Sequence, residues 1–217
     1  MAYDQTMMSS IHQSISGDRP WHPNPTNIDA ILHFWFCHSQ GLEKWFKADP
    51  VVDDECRVWT CWVIAARSGR LSSWAKSANG ALALLILLDQ IPRNVYRGTP
   101  EAYTSDTQAL ELALDSVAHG LDLQVPIERQ MFFYLPILHH ESLMAQLCSV
   151  GMYQAMVSRA EPGTDTHKLL EGALGMARKH LDIIVRFGRF PKRNKALERE
   201  STQMEAEYLE TATLGAL

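Results

Sequence analysis

Apolar positions in this chain recur three and four residues apart, and that spacing predicts helices along most of its length. Ile28, Ile31, Leu32, Trp35 and Phe36 form the first stripe, with Thr26 or Asn27 as the expected N-cap and a bulky end at Phe34 to Phe36. Val52, Cys56, Trp59, Val63 and Ala66 form the second, opened by Asp49-Pro50 and closed by Ser68-Gly69. A short segment from Leu71 to Ala75 then leads to Ser77, a candidate cap. Later helices are expected from Thr104 or Ser105 to His119, from Pro126 until Pro136 kinks or ends it, and from Leu143 to Met152. Two more are expected from a cap at Thr166 to Gly188, and from Met204 to about Leu214 after Ser201-Thr202. Residues 159–166 read as loop by composition, and no stretch combines strand alternation with hairpin chemistry. The expected fold is an all-α, single-domain helical bundle of about eight or nine helices over residues 21–217, preceded by a polar, mobile arm over residues 1–20.

One stretch departs from amphipathic spacing. Leu82 to Leu88 is apolar on every side, so it must be buried on every side. It turns abruptly polar at Asp89, Gln90, Arg93, Asn94 and Arg97, and Pro92 should break the helix there. This is the expected central helix, with a charged end that emerges from the core. A similar punctuation, Arg189-Phe-Pro-Lys-Arg-Asn194, follows another long apolar helix and echoes Gln90-Ile-Pro-Arg-Asn94. Stacked helix pairs of the tetratricopeptide type would give such an echo, here in degenerate form.

Charge and cysteine content narrow the functional classes. The formal net charge of −5 offers no general basic field for nucleic acid or anionic lipid. No apolar run approaches the roughly 20 residues that span a bilayer, and the N-terminus lacks the pattern of a secretory signal. Cys37, Cys56, Cys61 and Cys148 have neither zinc nor disulfide-framework spacing, which fits a cytoplasmic protein.

The segments ILHFWF (31–36), WF (45–46), LLILLDQIPRNVYRG (84–98), ERQMFFYLPILHHE (128–141) and RFGRFPKRN (186–194) resemble the family called domain of unknown function 924. The resemblance covers about residues 28 to 210 and implies a helical, tetratricopeptide-like fold more than an activity. Against that family, Ser is expected where His140 stands and His where Lys192 stands. Trp59, Cys61 and Trp62 replace a more ordinary polar helix.

The chemistry-bearing residues admit two readings. Asp89, Glu128, Glu141 and Asp182 with Arg93, Arg97, Arg129, Arg186, Arg189 and Arg193 could staple helix ends through ion pairs, as buried charges require. Alternatively they form the polar floor of a pocket, with arginines gripping a carboxylate or oxyanion. His139 is suited to general acid–base work, oriented by Glu141 or another carboxylate. His139-His140-Glu141 cannot chelate one ion from a regular helix, and HExxH, GxSxG and glycine-rich phosphate loops are absent from the sequence. No cofactor and no metal is therefore expected.

The resulting expectation is a cofactor-independent enzyme acting on a largely apolar small molecule, a cyclase, isomerase or pericyclase of specialised metabolism, with Arg93, Tyr134, His139, Glu141 and Arg189 as catalytic candidates. Trp35, Trp45, Asp89, Asn94, Arg97, Phe133, Arg186, Arg193 and Asn194 are the substrate-binding candidates. The competing expectations are a peptide-binding tetratricopeptide-like module and a hydrolase using His139 and Glu141 with water. The partner expected is a small-molecule substrate, with no nucleic acid and no membrane; a homo-oligomer is left open.

Overall fold

A computed structural model of the chain describes residues 25–38, 45 and 49–214. The expected arm over residues 1–20 lies outside the described residues. The described chain is helical, with no strand among those residues. Helix α1 (Pro25–His33) runs into a π-helical turn at Phe34–His38. It is already helical at Pro25, ahead of the cap expected at Thr26 or Asn27. Helix α2 (Pro50–Cys56) is capped by Asp49, whose carboxylate accepts the Val51 N–H at 2.9 Å, with Pro50 in the first helical position as expected. A 3₁₀ turn at Arg57–Trp59 joins it to α3 (Thr60–Arg67), so the second sequence stripe is one helix with a tightened middle.

The central element begins at α4 (Ala78–Leu85), capped by the Ser77 hydroxyl, which accepts the Gly80 N–H at 3.3 Å. Every residue from Leu82 to Asn94 is buried except Arg93, which is partly so. Pro92 does not break this helix. Instead, Ile86–Gln90 forms a π-helical segment, in which the Ile91 N–H bonds to the Ile86 carbonyl, and α5 (Ile91–Val95) continues beyond it. Proline lacks the N–H that would reach the carbonyl four residues back, that of Leu88. The Ser105 hydroxyl donates to that carbonyl instead, at 2.6 Å. A buried side-chain donor thus takes over the bond that proline cannot make.

Helix α6 (Asp106–Ala118) follows Ser105. Helix α7 (Ile127–Leu138) passes through Pro136 and ends at His139, later than the sequence suggested. Helix α8 (Leu143–Arg159) outlasts its expected end at Met152, because its apolar stripe continues through Tyr153 and Met156. Helix α9 (Asp165–Phe187) is capped by Thr164 rather than Thr166: the Thr164 hydroxyl accepts the His167 N–H at 3.1 Å. It stops at Gly188, whose φ of 69° is the left-handed conformation that glycine adopts at no steric cost. Helix α10 (Gln203–Leu214) opens with a capping box, in which Glu205 accepts the Thr202 N–H at 2.8 Å and Thr202 accepts that of Glu205 at 3.3 Å.

Successive helices pack on one another, α6 on α7, α7 on α8 and α8 on α9, and α4 packs against α1, α6 and α7. One hydrophobic cluster runs from Ala30 to Ala177. Trp35, Trp59, Trp62 and Trp74 are buried within it, in ring contacts such as Phe34 with Trp59 and Trp62 with Trp74. Most of the tryptophans are therefore core, and the fold is an all-α bundle.

Candidate functional site

The π-helical segment delivers a carboxylate where an ordinary helix would not. Such bulges shift helical register by one residue and recur at functional sites. Asp89 sits within it, only 1% exposed, and its neighbour Gln90 donates to Oδ2. Its Oδ1 is 2.8 Å from Nδ1 of His139 and 3.2 Å from Nη2 of Arg93. His139 stands at the C-terminal cap of α7, so two proline-bearing helices meet through this pair.

Electrostatics make the pairing coherent. Burial alone would raise the Asp89 carboxyl, but the Arg93 guanidinium and the hydrogen-bonded His139 ring outweigh it and hold the carboxyl well below the usual carboxylate range. Burial lowers His139; Asp89 opposes that, while Arg93 and Arg193 add to it, leaving the ring below its ordinary value and neutral near pH 7. A neutral ring facing an ionised carboxylate must carry its proton on Nδ1, the donor to Asp89. Nε2 then holds a lone pair, and no partner claims it among the described residues.

Arginines frame the pair. Arg93 donates from Nη1 and Nη2 to both oxygens of Asp106, at 2.8 and 3.1 Å. Arg193 reaches the same carboxylate at 3.3 Å and donates to the His139 carbonyl at 2.9 Å, satisfying a helix-end acceptor. Both guanidiniums lie over the Tyr103 ring, at 5.6 and 4.9 Å from its centroid.

Three hollows border His139. One of about 400 Å³ is lined by Arg93, Arg97, Tyr103, His180, Lys192 and Arg193 among others. A second of about 400 Å³ is lined by Trp45, Gln90, Asn94, Met176 and His180, again with Arg93 and Arg97. A third, of about 220 Å³, lies among Asp106, Thr107, Pro136, His140, Glu141 and Arg193. His180 belongs to the first two, and burial lowers its ring to about 4, aided by the nearby charges of Arg193 and Lys192.

The candidates from sequence therefore divide. Arg93, Arg97, His139 and Arg193 gather at the hollows, joined by Trp45 and Asn94 on the second, and buried Asp89 holds His139 and Arg93 without lining a hollow itself. Arg189 does not. It pairs with Glu205 at 2.7 and 2.8 Å and with the Glu200 carbonyl, and of the two arginines flanking Pro191 it is Arg193 that joins Arg93, on Asp106. Glu141 borders the third hollow but does not orient His139: it accepts two bonds from Arg199 and the Phe190 N–H, and Asp89 has the orienting place. Tyr134 is buried, donates to Asp122 at 2.5 Å and is driven well above the usual phenol value by that burial and by Asp122. Trp35 and Phe133 are core. Arg186 is exposed and lies over Phe187 and Tyr208. Asn194 is buried in the Arg189 network, where it donates to Ser201 and Glu205 and accepts from Arg199.

Sequence reasoning did not select Asp106, Tyr103, His180 or Lys192 for the site. His180 had a visible signal, since it interrupts the α9 apolar stripe between Ala177 and Ile184. Asp106 had none, because an acid in the first turn of a helix is explained by the helix dipole alone.

Among the described residues, no group of three or more His, Cys, Asp and Glu side chains is disposed to hold a metal ion, and no helix is long and apolar enough to cross a membrane. No curated protein matches the chain. A solved structure of a protein of unknown function from Agrobacterium tumefaciens is similar: it is 35% identical, with a TM-score of 0.74, covering 86% of this chain and 98% of the other. The sequence profile described as "Bacterial protein of unknown function (DUF924)" matches residues 31–213, and over that span the chain belongs to the domain of unknown function 924 family.

Proposed function

We propose that the protein is an enzyme of small-molecule metabolism in which His139 transfers a proton to or from a substrate held in the hollows beside it. The observation that carries this reading is the Nδ1 bond to Asp89 on a histidine that borders three cavities. A carboxylate fixing the tautomer of a neutral imidazole leaves Nε2 as a base, and the imidazolium formed after proton uptake is stabilised by the same carboxylate. Arg93 and Arg193 lie close enough to favour negative charge developing on the substrate. An isomerisation, or a cyclisation begun by proton removal, uses all of these parts.

Two sequence expectations lose support. The largely apolar substrate is one: Trp35 and Phe133, two of its expected contacts, are core, while the first hollow is rich in cations. A hydrolase built on His139 and Glu141 needs a contact between them, and Glu141 is committed to Arg199. A cytoplasmic setting remains part of the proposal, supported by four cysteines with no disulfide among them, two of them exposed.

The test is a turnover screen of small anionic and polar metabolites with the parent chain and His139→Asn. Conversion lost in the variant, with folding retained, supports the reading. Conversion that survives in the variant overturns it.

A further inference from the structure

The first hollow has an unusual wall for a chain of net charge −5. Arg93, Arg97, Lys192 and Arg193 line it, and no carboxylate does. The balancing acids lie behind the wall, and they do not balance it fully. Asp89 and Asp106 serve Arg93, Asp106 also serves Arg193, Asp53 serves Arg97, and Lys192 has no ion pair among the described residues. Burial and the Arg93 charge together press the Arg193 guanidinium below its ordinary basicity, a conflict that an entering anion relieves.

The donors still available indicate the shape of that anion. Arg93 gives both Nη atoms to Asp106, with Nη1 also on the Ala102 carbonyl and Nη2 also against Asp89; Arg97 gives Nε and Nη2 to Asp53 and Nη2 also to Asn94; Arg193 gives one Nη1 hydrogen to Asp106 and one Nη2 hydrogen to the His139 carbonyl. Arg93 and Arg97 therefore have no complete guanidinium edge left for the two parallel bonds that a planar carboxylate prefers. What remains comes from two sides: Nε of Arg93 and Nη1 of Arg97 at the end of α5, and Nε and the second Nη hydrogens of Arg193 with the exposed Lys192 ammonium on the turn Pro191–Arg193. A lysine acts as a point charge for phosphate, and a tetrahedral oxyanion accepts from several directions at once. Beside these donors stand the rings of Tyr103, Phe190 and Tyr208.

We propose that this hollow is an anion subsite for a phosphate monoester, with the Lys192, Arg193 and Arg97 donors on its phosphate and the Tyr103, Phe190 and Tyr208 rings against an aromatic or apolar body. The inference deepens the His139 reading by naming a substrate class for the same site. It is tested by binding rather than turnover.

Calorimetric titration of the full chain at low chloride, with inorganic phosphate, phenyl phosphate and benzoate, provides the test. The expected result is saturable binding of both phosphates, phenyl phosphate the tighter, and benzoate weaker by at least about tenfold. Lys192→Glu, a change at an exposed position, should weaken phenyl phosphate by more than about tenfold, and the imidazole NMR signals of His139 and His180 should move on titration of the parent chain. Absence of saturable binding, benzoate binding as tightly as phenyl phosphate, affinity unchanged in Lys192→Glu, or unmoved histidine signals each overturns the proposal. Failure here leaves the His139 reading intact, whereas turnover surviving His139→Asn removes that reading and leaves the subsite.

Discussion

Two charged clusters follow the two proline-punctuated helix ends, and their sequences look alike. Around Arg189, the network is closed: Glu205 takes Arg189, Asn194 and the Thr202 N–H, while Glu141 takes Arg199 and the Phe190 N–H. Around Asp89, the network is open: His139 is fixed on one nitrogen only, and hollows large enough for a ligand lie against it. The same residue types thus serve two ends. Where every donor and acceptor is consumed, the cluster ties helix ends together. Where one group is oriented but left unspent beside a void, it is available for chemistry.

The sharpest division between the clusters comes from deleting the unspent group. His139→Asn should lower turnover of a substrate by about 10²- to 10⁴-fold, roughly 3 to 5 kcal/mol of transition-state stabilisation, with little change in melting temperature. A large drop in melting temperature at unchanged turnover would place His139 with the closed cluster. Next in size is an acid effect. The folded pKa of His180, about 4, lies below its ordinary 6.5, so between those values the unfolded chain binds more protons. Stability should be complete above pH 6.5 and fall by up to about 3 kcal/mol as pH drops toward 4, and His180→Gln should flatten that share of the melting profile.

Breaking the closed cluster should do the reverse of breaking the open one. Glu141→Ala strands Arg199 and the Phe190 N–H, at a cost of about 2 kcal/mol, or roughly 4 to 8 °C of melting temperature in a chain of this size, with turnover per folded molecule unchanged. Loss of turnover beyond the loss of folded protein would restore Glu141 to the chemistry. The smallest effect belongs to Tyr134→Phe, which removes one donor to buried Asp122 and should cost about 1 kcal/mol without touching the rate. A rate loss there would mean that the hollow reaches further into α7 than its walls indicate.

The helices were legible because their signals are local. Asp49-Pro50, Ser77 and Gly188 each act within one turn of themselves, and each behaves as its chemistry requires. The continuation through Pro92 was not legible, because it depends on the Ser105 hydroxyl reaching Leu88 from the start of another helix. The site was half legible for the same reason. Asp89, Arg93 and His139 announce themselves as polar groups at the ends of apolar runs. Which arginine meets Arg93 is decided by how α9 turns at Gly188, which aims Arg193 at Asp106 and Arg189 at Glu205. Four residues apart, the two have equal claims in the sequence, and only packing separates them.

The most direct measurement is the ¹⁵N NMR spectrum of the His139 ring near pH 7. A neutral ring protonated on Nδ1, with an unprotonated Nε2, is the result expected from its bond to ionised Asp89. A ring protonated on Nε2, or charged at that pH, would contradict the account.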